Sequence, residues 1–355
     1  MLLNQLFESR LVEDPETVKQ EILQTINSID TANPDPELSK QNEELLDKIY
    51  TILNKGNVLD RISSVLPNVL KDEYPENEVM RIAGAIADAP LSYRDKIAFA
   101  DNLAKDKVID AKLLLSPGGH SIDQLTYNNA ANKIMFDHLK GYGVGKLMKG
   151  PAEHALAILS KDISIQGVGD VTVGTTPLEV KAATSEKKGG GGGRFGETGR
   201  LPSRANMVQL ITSIPPLKEP VEAFLQKQQS MNVETFVNIV NGIELTPEQR
   251  KSVGENVFGA IFGDNAKRVI DAFAKPNADP DSVRRAYIKS NFDWYKNSDM
   301  GGEWSVLAAI SFADNSVGVM QNADDIDKIT VYKKNPAIIT TDKPQEMLFQ
   351  FNPKL

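Results

Sequence analysis

The stretch GDVTVGTTPLEVKAA at 169–183 places the strongest limit on what this chain can fold into. Its apolar residues alternate with polar ones, the pattern of β-strands, whereas the long segments before it space their apolar residues at three and four. The GTTP stretch is turn chemistry, so the sequence predicts two strands, near Asp170–Val173 and Leu178–Ala182. Alternate residues of a strand share a face. Glu179 and Lys181 therefore project together, roughly 7 Å apart at their Cα atoms, while Leu178, Val180 and Ala182 point into a core. The charged face then has two readings. It is a solvated strand surface carrying a charge pair, or it is a metal-dependent active site.

Helical periodicity dominates what lies before this hairpin. VKQEILQTINSI, NEELLDKIYTIL, RISSVLPNVL, NEVMRIAGAIAD and YRDKIAFADNLAKD predict an acidic helical domain over 1–115, bounded near LSPGGHS. YNNAANKIMFDHL and PAEHALAILSKDI read as helices, the second with Pro151 in its first turn and an amphipathic apolar face. After the hairpin comes KKGGGGGRFGETGRLPSR, whose five consecutive glycines predict a loop without a fixed backbone when nothing is bound. ANMVQLITSI is helical. So are VEAFLQKQQSM, NVETFVNIVNGI, TPEQRKSVGENVFGAIF, NAKRVIDAFA and DSVRRAYIKSNFDWYKN within 217–298. WSVLAAISFA, SVGVMQ, DKITVYK and EMLFQF read as strands. The expected class is α/β (α+β), with a sheet core from 118–215 plus 300–355 and a helical insertion or flanking lobe at 217–298.

Several function classes fall away. Cysteine is absent, which excludes disulfides, thiolate zinc sites and cysteine nucleophiles. The three histidines, His120, His138 and His154, make no HExxH spacing, and no GxSxG elbow occurs. KGYGVGKLMKG fails as a phosphate loop, because Leu147 follows the GK pair where Ser or Thr is needed. No apolar run approaches a membrane span, so no membrane partner is expected. MLLNQLFESRL is broken by Glu8 and Arg10 and has no cleavage-type sequence after it, which predicts no secretory signal and a cytoplasmic location. Net charge is −8, but residues 1–80 hold 16 acidic and 7 basic residues, so the rest of the chain is nearly neutral. Residues 181–204 carry six basic residues against two acidic ones. That local excess suits a polyanion.

Four polar residues stand in a fixed order: Glu153 in GPAEHALAIL, Asp170 in GVGD, then Glu179 and Lys181 in LEVKAA. This order resembles the PD-(D/E)xK nuclease superfamily, in which an early helix supplies a Glu, one strand an Asp, and the next strand E-x-K. Gly169 precedes Asp170 where that family often has Pro. The resemblance covers about 35 residues strongly and implies a restriction-endonuclease-like core with a mixed central sheet. It also implies a Mg2+- or Mn2+-dependent phosphodiesterase acting on DNA or, less often, on RNA. Asp170, Glu179 and the Val180 backbone carbonyl are the expected metal oxygens, with Glu153 auxiliary. Magnesium takes hard oxygen ligands and keeps several waters, which such a set suits. Lys181 would position the nucleophile and stabilise transition-state charge. Asp110/Lys112 has the same spacing but no Asp-bearing strand before it, and Glu186/Lys188 runs into the glycine loop.

Around this centre, Lys187, Lys188, Arg194, Arg200 and Arg204 are candidate phosphate contacts, and Gln209 is a candidate polar contact on the following helix. VRRAYIKSNFDWYK interleaves basic and aromatic residues, which serves either base stacking or a helix core. The acidic N-terminal helices could dock a protein partner or set an oligomer. The opening MLLNQLFESRL resembles short amino-terminal segments of tailed-phage proteins. That resemblance implies a phage-encoded or mobile-element protein, acting in the host cytoplasm or, for a phage, carried in the virion. The alternative class is an inactive structural or interaction protein, such as a virion component, on a nuclease-like fold.

Overall fold

The computed structural model describes residues 37, 40, 58–70, 73–143, 150, 152–166, 169–183, 193–195, 202–297, 304–329, 336–339 and 349–351. The chain divides into two units, Met1–Val108 and Ile109–Leu355. The expected helices VKQEILQTINSI and NEELLDKIYTIL lie outside the described residues.

In the first unit, α1 (58–70), α2 (Glu76–Ala87) and α3 (Tyr93–Ala104) bury Ile62 and Leu66, Ile82 and Ile86, and Phe99 and Leu103 respectively. Their three-and-four spacing gives each helix one apolar face. Ser92 caps α3 by accepting from the Asp95 N–H at 3.1 Å. Lys96 is buried and donates to the Ala87 carbonyl at 2.8 Å. That carbonyl closes α2, where the helix dipole favours a cation.

The second unit is mixed α/β. It begins with β1 (Gly118–Ser121), α4 (Ile122–Leu125), α5 (Ala130–Leu139) and α6 (Glu153–Leu159). Next come β2 (Ile163–Ser164), β3 (Val171–Val173), β4 (Thr176–Ala183) and β5 (Gly193–Phe195). Helices α7 (Arg204–Thr212) and α8 (Pro215–Leu225) lead to β6 (Met231–Asn232). Then follow α9 (Val233–Asn241), α10 (Pro247–Phe262), α11 (Lys267–Phe273) and α12 (Pro280–Asn297). The chain closes with β7 (Val306–Ser311), β8 (Ser316–Met320), β9 (Ala337–Ile339) and β10 (Phe349–Phe351).

Six strands form one sheet in the order β1-β8-β7-β4-β3-β2. β4 and β7 run parallel, and every other neighbouring pair is antiparallel. The β3–β4 connection is a two-residue turn, Gly174-Thr175, with Gly174 at φ +60°. Glycine at that first position matches a type II′ hairpin turn. β7 and β8 are buried at every residue, so VLAAIS and SVGVM are continuous rather than alternating, as strands covered on both faces require.

Helices α7 to α12 occupy the connection between β4 and β7. Phe236 stacks on Phe273 at 5.5 Å, and Phe258 meets Phe273 edge-on at 5.3 Å. Thr246 and Gln249 form a capping box at α10, with Pro247 in its first turn. One stripe of α12, with Ile288, Phe292 and Tyr295, packs against Trp304, Leu307, Ala309 and Met320, laying the helix over the sheet. Tyr287, Phe292 and Tyr295 are buried, so the interleaved aromatics of α12 serve the core rather than an exposed stacking surface.

Three expectations change. The helix expected over VEAFLQKQQSM ends at Leu225, and Met231 belongs to β6, paired with β9. All of EHALAIL is buried, so α6 is a fully enclosed helix rather than an amphipathic one. It begins at Glu153, after Ala152 at a left-handed φ of +71°. DKITVYK does not start as a strand, because Asp327 and Lys328 close a 3₁₀ turn over Ala323–Lys328, while 330–335 lie outside the described residues.

The Asp325 carboxylate organises that turn. It accepts from the Gln321 and Asn322 amides at 2.9 and 3.1 Å and from Lys328 at 2.7 Å. Burial pushes this carboxyl up, but Lys328 and the two amides outweigh burial and hold it below the usual aspartate range. A depressed folded-state value supplies stability above the unfolded pKa and loses it as pH falls through the folded value. Asp325→Asn is therefore expected to cost about 2 kcal/mol near neutral pH in urea unfolding. The difference should shrink below the ordinary aspartate range; one that stayed constant with pH would refute this account.

Candidate active site

The candidate site starts from the backbone around Asp170. The Asp170 N–H donates to the Leu178 carbonyl at 3.0 Å, and its Oδ2 accepts from the Val180 N–H at 2.8 Å. Pairing of β3 with β4 runs only from Val173↔Thr176 to Val171↔Leu178. Beyond it, the carboxylate of Asp170 takes the place of a strand and satisfies the next inward amide. Gly169 makes the approach possible. Its φ is +84°, a value closed to proline, and a Cβ there would lie 3.0 Å from the Leu178 carbonyl oxygen.

β4 carries Glu179 and Lys181 opposite Leu307 and Ala309 of β7. Leu307 and Ala309 belong to the cluster beneath α12, so the charged face of β4 is the one this helix covers. Glu179 is accordingly only 5% exposed, and Leu178 and Val180 on the other face are also buried. The reading of a solvated strand surface does not hold for Glu179, while Lys181 and Asp170 beside it keep part of their side chains exposed.

Within this enclosure Glu179 Oε1 is held twice. Lys181 Nζ forms an ion pair with it, and the Tyr295 hydroxyl donates to it at 2.5 Å. Lys181 Nζ also lies 3.9 Å from Asp170 Oδ2 and 5.9 Å from the centre of the Tyr295 ring. Asp170, Glu179 and Lys181 thus meet at one point, with one ammonium between two carboxylates. Burial raises the Glu179 carboxyl, the Asp170 charge adds to this, and Lys181 and Tyr295 oppose it. For Lys181, burial favours loss of the proton, but Glu179, Tyr295 and Asp170 together hold the ammonium above its usual range. Burial, with Glu179 beside it, keeps the Tyr295 hydroxyl protonated and able to donate.

The other candidates fall elsewhere. Glu153 is buried in the first turn of α6, and its carboxylate turns back onto Gly150, where a side chain at 150 would strike it. Among the described residues no three histidine, aspartate or glutamate side chains form a metal-ligand cluster, so Glu153 does not complete a set with Asp170 and Glu179. Arg204 opens α7 and is half-buried, and Gln209 is exposed on the same helix. Arg194 lies in β5, opposite Gln350 of β10. The glycine-rich segment therefore includes a paired strand, Gly193–Phe195, where a loop without fixed backbone was expected. Lys187, Lys188 and Arg200 lie outside the described residues.

Tyr295 was not legible as a site residue. Its helical spacing with Ile288 and Phe292 marks a buried stripe, and a buried tyrosine hydroxyl needs a partner. Nothing in the sequence says that the partner is Glu179, 116 positions away. Carboxylate oxygens are the hard donors that a divalent ion takes, alongside water and phosphate oxygens, and here the Lys181 ammonium lies between the two. No protein-family model, curated protein or solved structure matches the chain.

Two substitutions test the construction of the site. Gly169→Ala should lower stability by about 1–3 kcal/mol, the usual cost of an L-residue forced to such a φ. An unchanged urea midpoint would show that Asp170 does not depend on this turn. Tyr295→Phe should cost about 1–3 kcal/mol, because a buried carboxylate loses a donor. A neutral result would mean that Lys181 alone satisfies Glu179.

Proposed function

We propose that this protein is a divalent-metal-dependent nuclease of the PD-(D/E)xK type, hydrolysing phosphodiester bonds in DNA. The observation that carries this reading is the meeting of Asp170, Glu179 and Lys181 where β3 hands over to β4. The order of elements supports it: a Glu-bearing helix α6, the antiparallel β2-β3-β4 meander, helices, and then β7 parallel to β4. The Glu-bearing helix, the Asp-bearing strand and the neighbouring E-x-K strand in a mixed sheet keep the order that the resemblance implies. Gly169 in place of the family's frequent Pro also has a reason, since φ +84° excludes Pro there.

In this reading Asp170 and Glu179 hold Mg2+ or Mn2+. When bound, the ion supplies an acidified water and stabilises charge on the phosphoryl oxygens. Lys181, flanked by two carboxylates, remains an ammonium, so its part is electrostatic: it orients the attacking water and offsets charge as the bond breaks. Tyr295, donating to Glu179, would fix the carboxylate that would hold the ion. Burial under α12 lowers the local dielectric and strengthens each of these interactions.

A second reading, a catalytically inactive interaction protein on the same fold, draws on one feature. Glu179 Oε1 is engaged by both Lys181 and Tyr295, a closed arrangement that satisfies the carboxylate internally.

Purified protein incubated with supercoiled plasmid, linear duplex, single-stranded DNA and RNA, with Mg2+, Mn2+ or chelator, distinguishes the two. Metal-dependent cleavage of DNA is expected, lost by about a hundredfold or more in Asp170→Ala and Lys181→Ala. Folded wild-type protein that cleaves nothing, and whose melting temperature ignores Mn2+, would favour the inactive scaffold.

A further inference from the structure

A second feature lies within the helices of the β4–β7 connection and is independent of the site at Glu179. A cavity of about 690 Å³ opens between the end of α9, the start of α10 and the end of α11. That size suits a small organic ligand. Ile243, Leu245 and Pro276 supply apolar wall, while Asn241 and Arg250 supply polar groups.

Arg250 is the unusual member. It is 5% exposed, and among the described residues no carboxylate pairs with it. Its NH1 donates to Asn241 Oδ1 at 2.8 Å and its NH2 to the Val240 carbonyl at 3.3 Å. Its guanidinium carbon lies 5.9 Å from the centre of the Phe273 ring. Asn241 is itself fixed by donating to the Ala278 carbonyl at 3.0 Å. These contacts orient the guanidinium without neutralising it. Val240 and Asn241 end α9, whose dipole offers only about half a negative charge. Two hydrogen bonds also leave part of a five-donor fork unused. A buried charge in this state is costly unless something else completes it.

We propose that this cavity binds a small monocarboxylate with an apolar body, its carboxylate received by Arg250 and its body by Ile243, Leu245 and Pro276. One guanidinium matches one negative charge. Exposed Glu244 on the same lining disfavours a dianion such as phosphate. The apolar wall favours a carbon chain over a bare inorganic ion.

The test is thermal shift and calorimetric titration of the full chain with hexanoate, with hexanol and inorganic phosphate as comparisons. Hexanoate should raise the melting temperature where hexanol and phosphate do not. Arg250→Gln should weaken its binding by about tenfold or more, the scale of a lost charge-assisted bond. Ala274→Leu narrows the cavity without touching Arg250 and should also weaken binding, so the proposal stays testable if Arg250→Gln does not fold. Three results overturn it: no hexanoate binding to the wild type, binding undiminished in a folded variant, or phosphate binding as well as hexanoate. Absence of any ligand would leave Arg250 as the C-terminal cap of α9.

Discussion

Parallel pairing of β4 with β7 governs the second unit. Parallel neighbours cannot be joined by a tight turn, and their connection must cross over one face of the sheet. Among the described residues that connection holds six helices, and the last of them, α12, returns across the sheet before β7. The crossover fixes which face of β4 is enclosed. It is the face carrying Glu179 and Lys181, so a carboxylate that alternation alone would leave at a surface becomes an interior one, with its ammonium partner half-buried beside it.

Enclosing these charges has an energetic consequence. Taking ions out of water costs several kcal/mol each, and mutual attraction repays it only when geometry and additional hydrogen bonds are good. Tyr295 supplies such a bond, and Asp170 supplies a second negative neighbour for Lys181. The cluster is therefore a poor way to gain stability by comparison with apolar side chains of the same volume. Its presence beneath α12 is better understood through what a confined, oriented set of two carboxylates and an ammonium can bind. Arg250 poses the same question in a different place, with a helix end and an amide where Lys181 has two acids.

Much of the local structure was legible in the sequence. Alternation over 169–183 located β3 and β4, GTTP located their turn, and Thr246 followed by Pro247 and Glu248 marked the start of α10. The E-x-K spacing singled out Glu179 and Lys181, and the Asp-bearing strand before it singled out Asp170. The rest depended on distant parts of the chain. Which face of β4 is covered follows from where α12 returns, and Tyr295 finds Glu179 only through that return. The left-handed Ala152 before α6 defeats a helix start placed on Pro151. Asp325 holds the start of DKITVYK, Asp327 and Lys328, in a 3₁₀ turn through bonds to amides that precede it, a local device whose partners alternation does not report.

The separation between Glu179 and Tyr295 also bears on how the protein assembles. Contacts between residues so far apart in sequence form only after the intervening chain has surrendered much of its freedom, and folds rich in them are slow. The β3–β4 hairpin can close early and bring Asp170 to Val180. Glu179 gains its tyrosine donor only when the crossover helices have condensed and β7 has joined the sheet. The chemistry-bearing cluster is thus a late product of folding, and its completion reports that the whole second unit has reached its native topology.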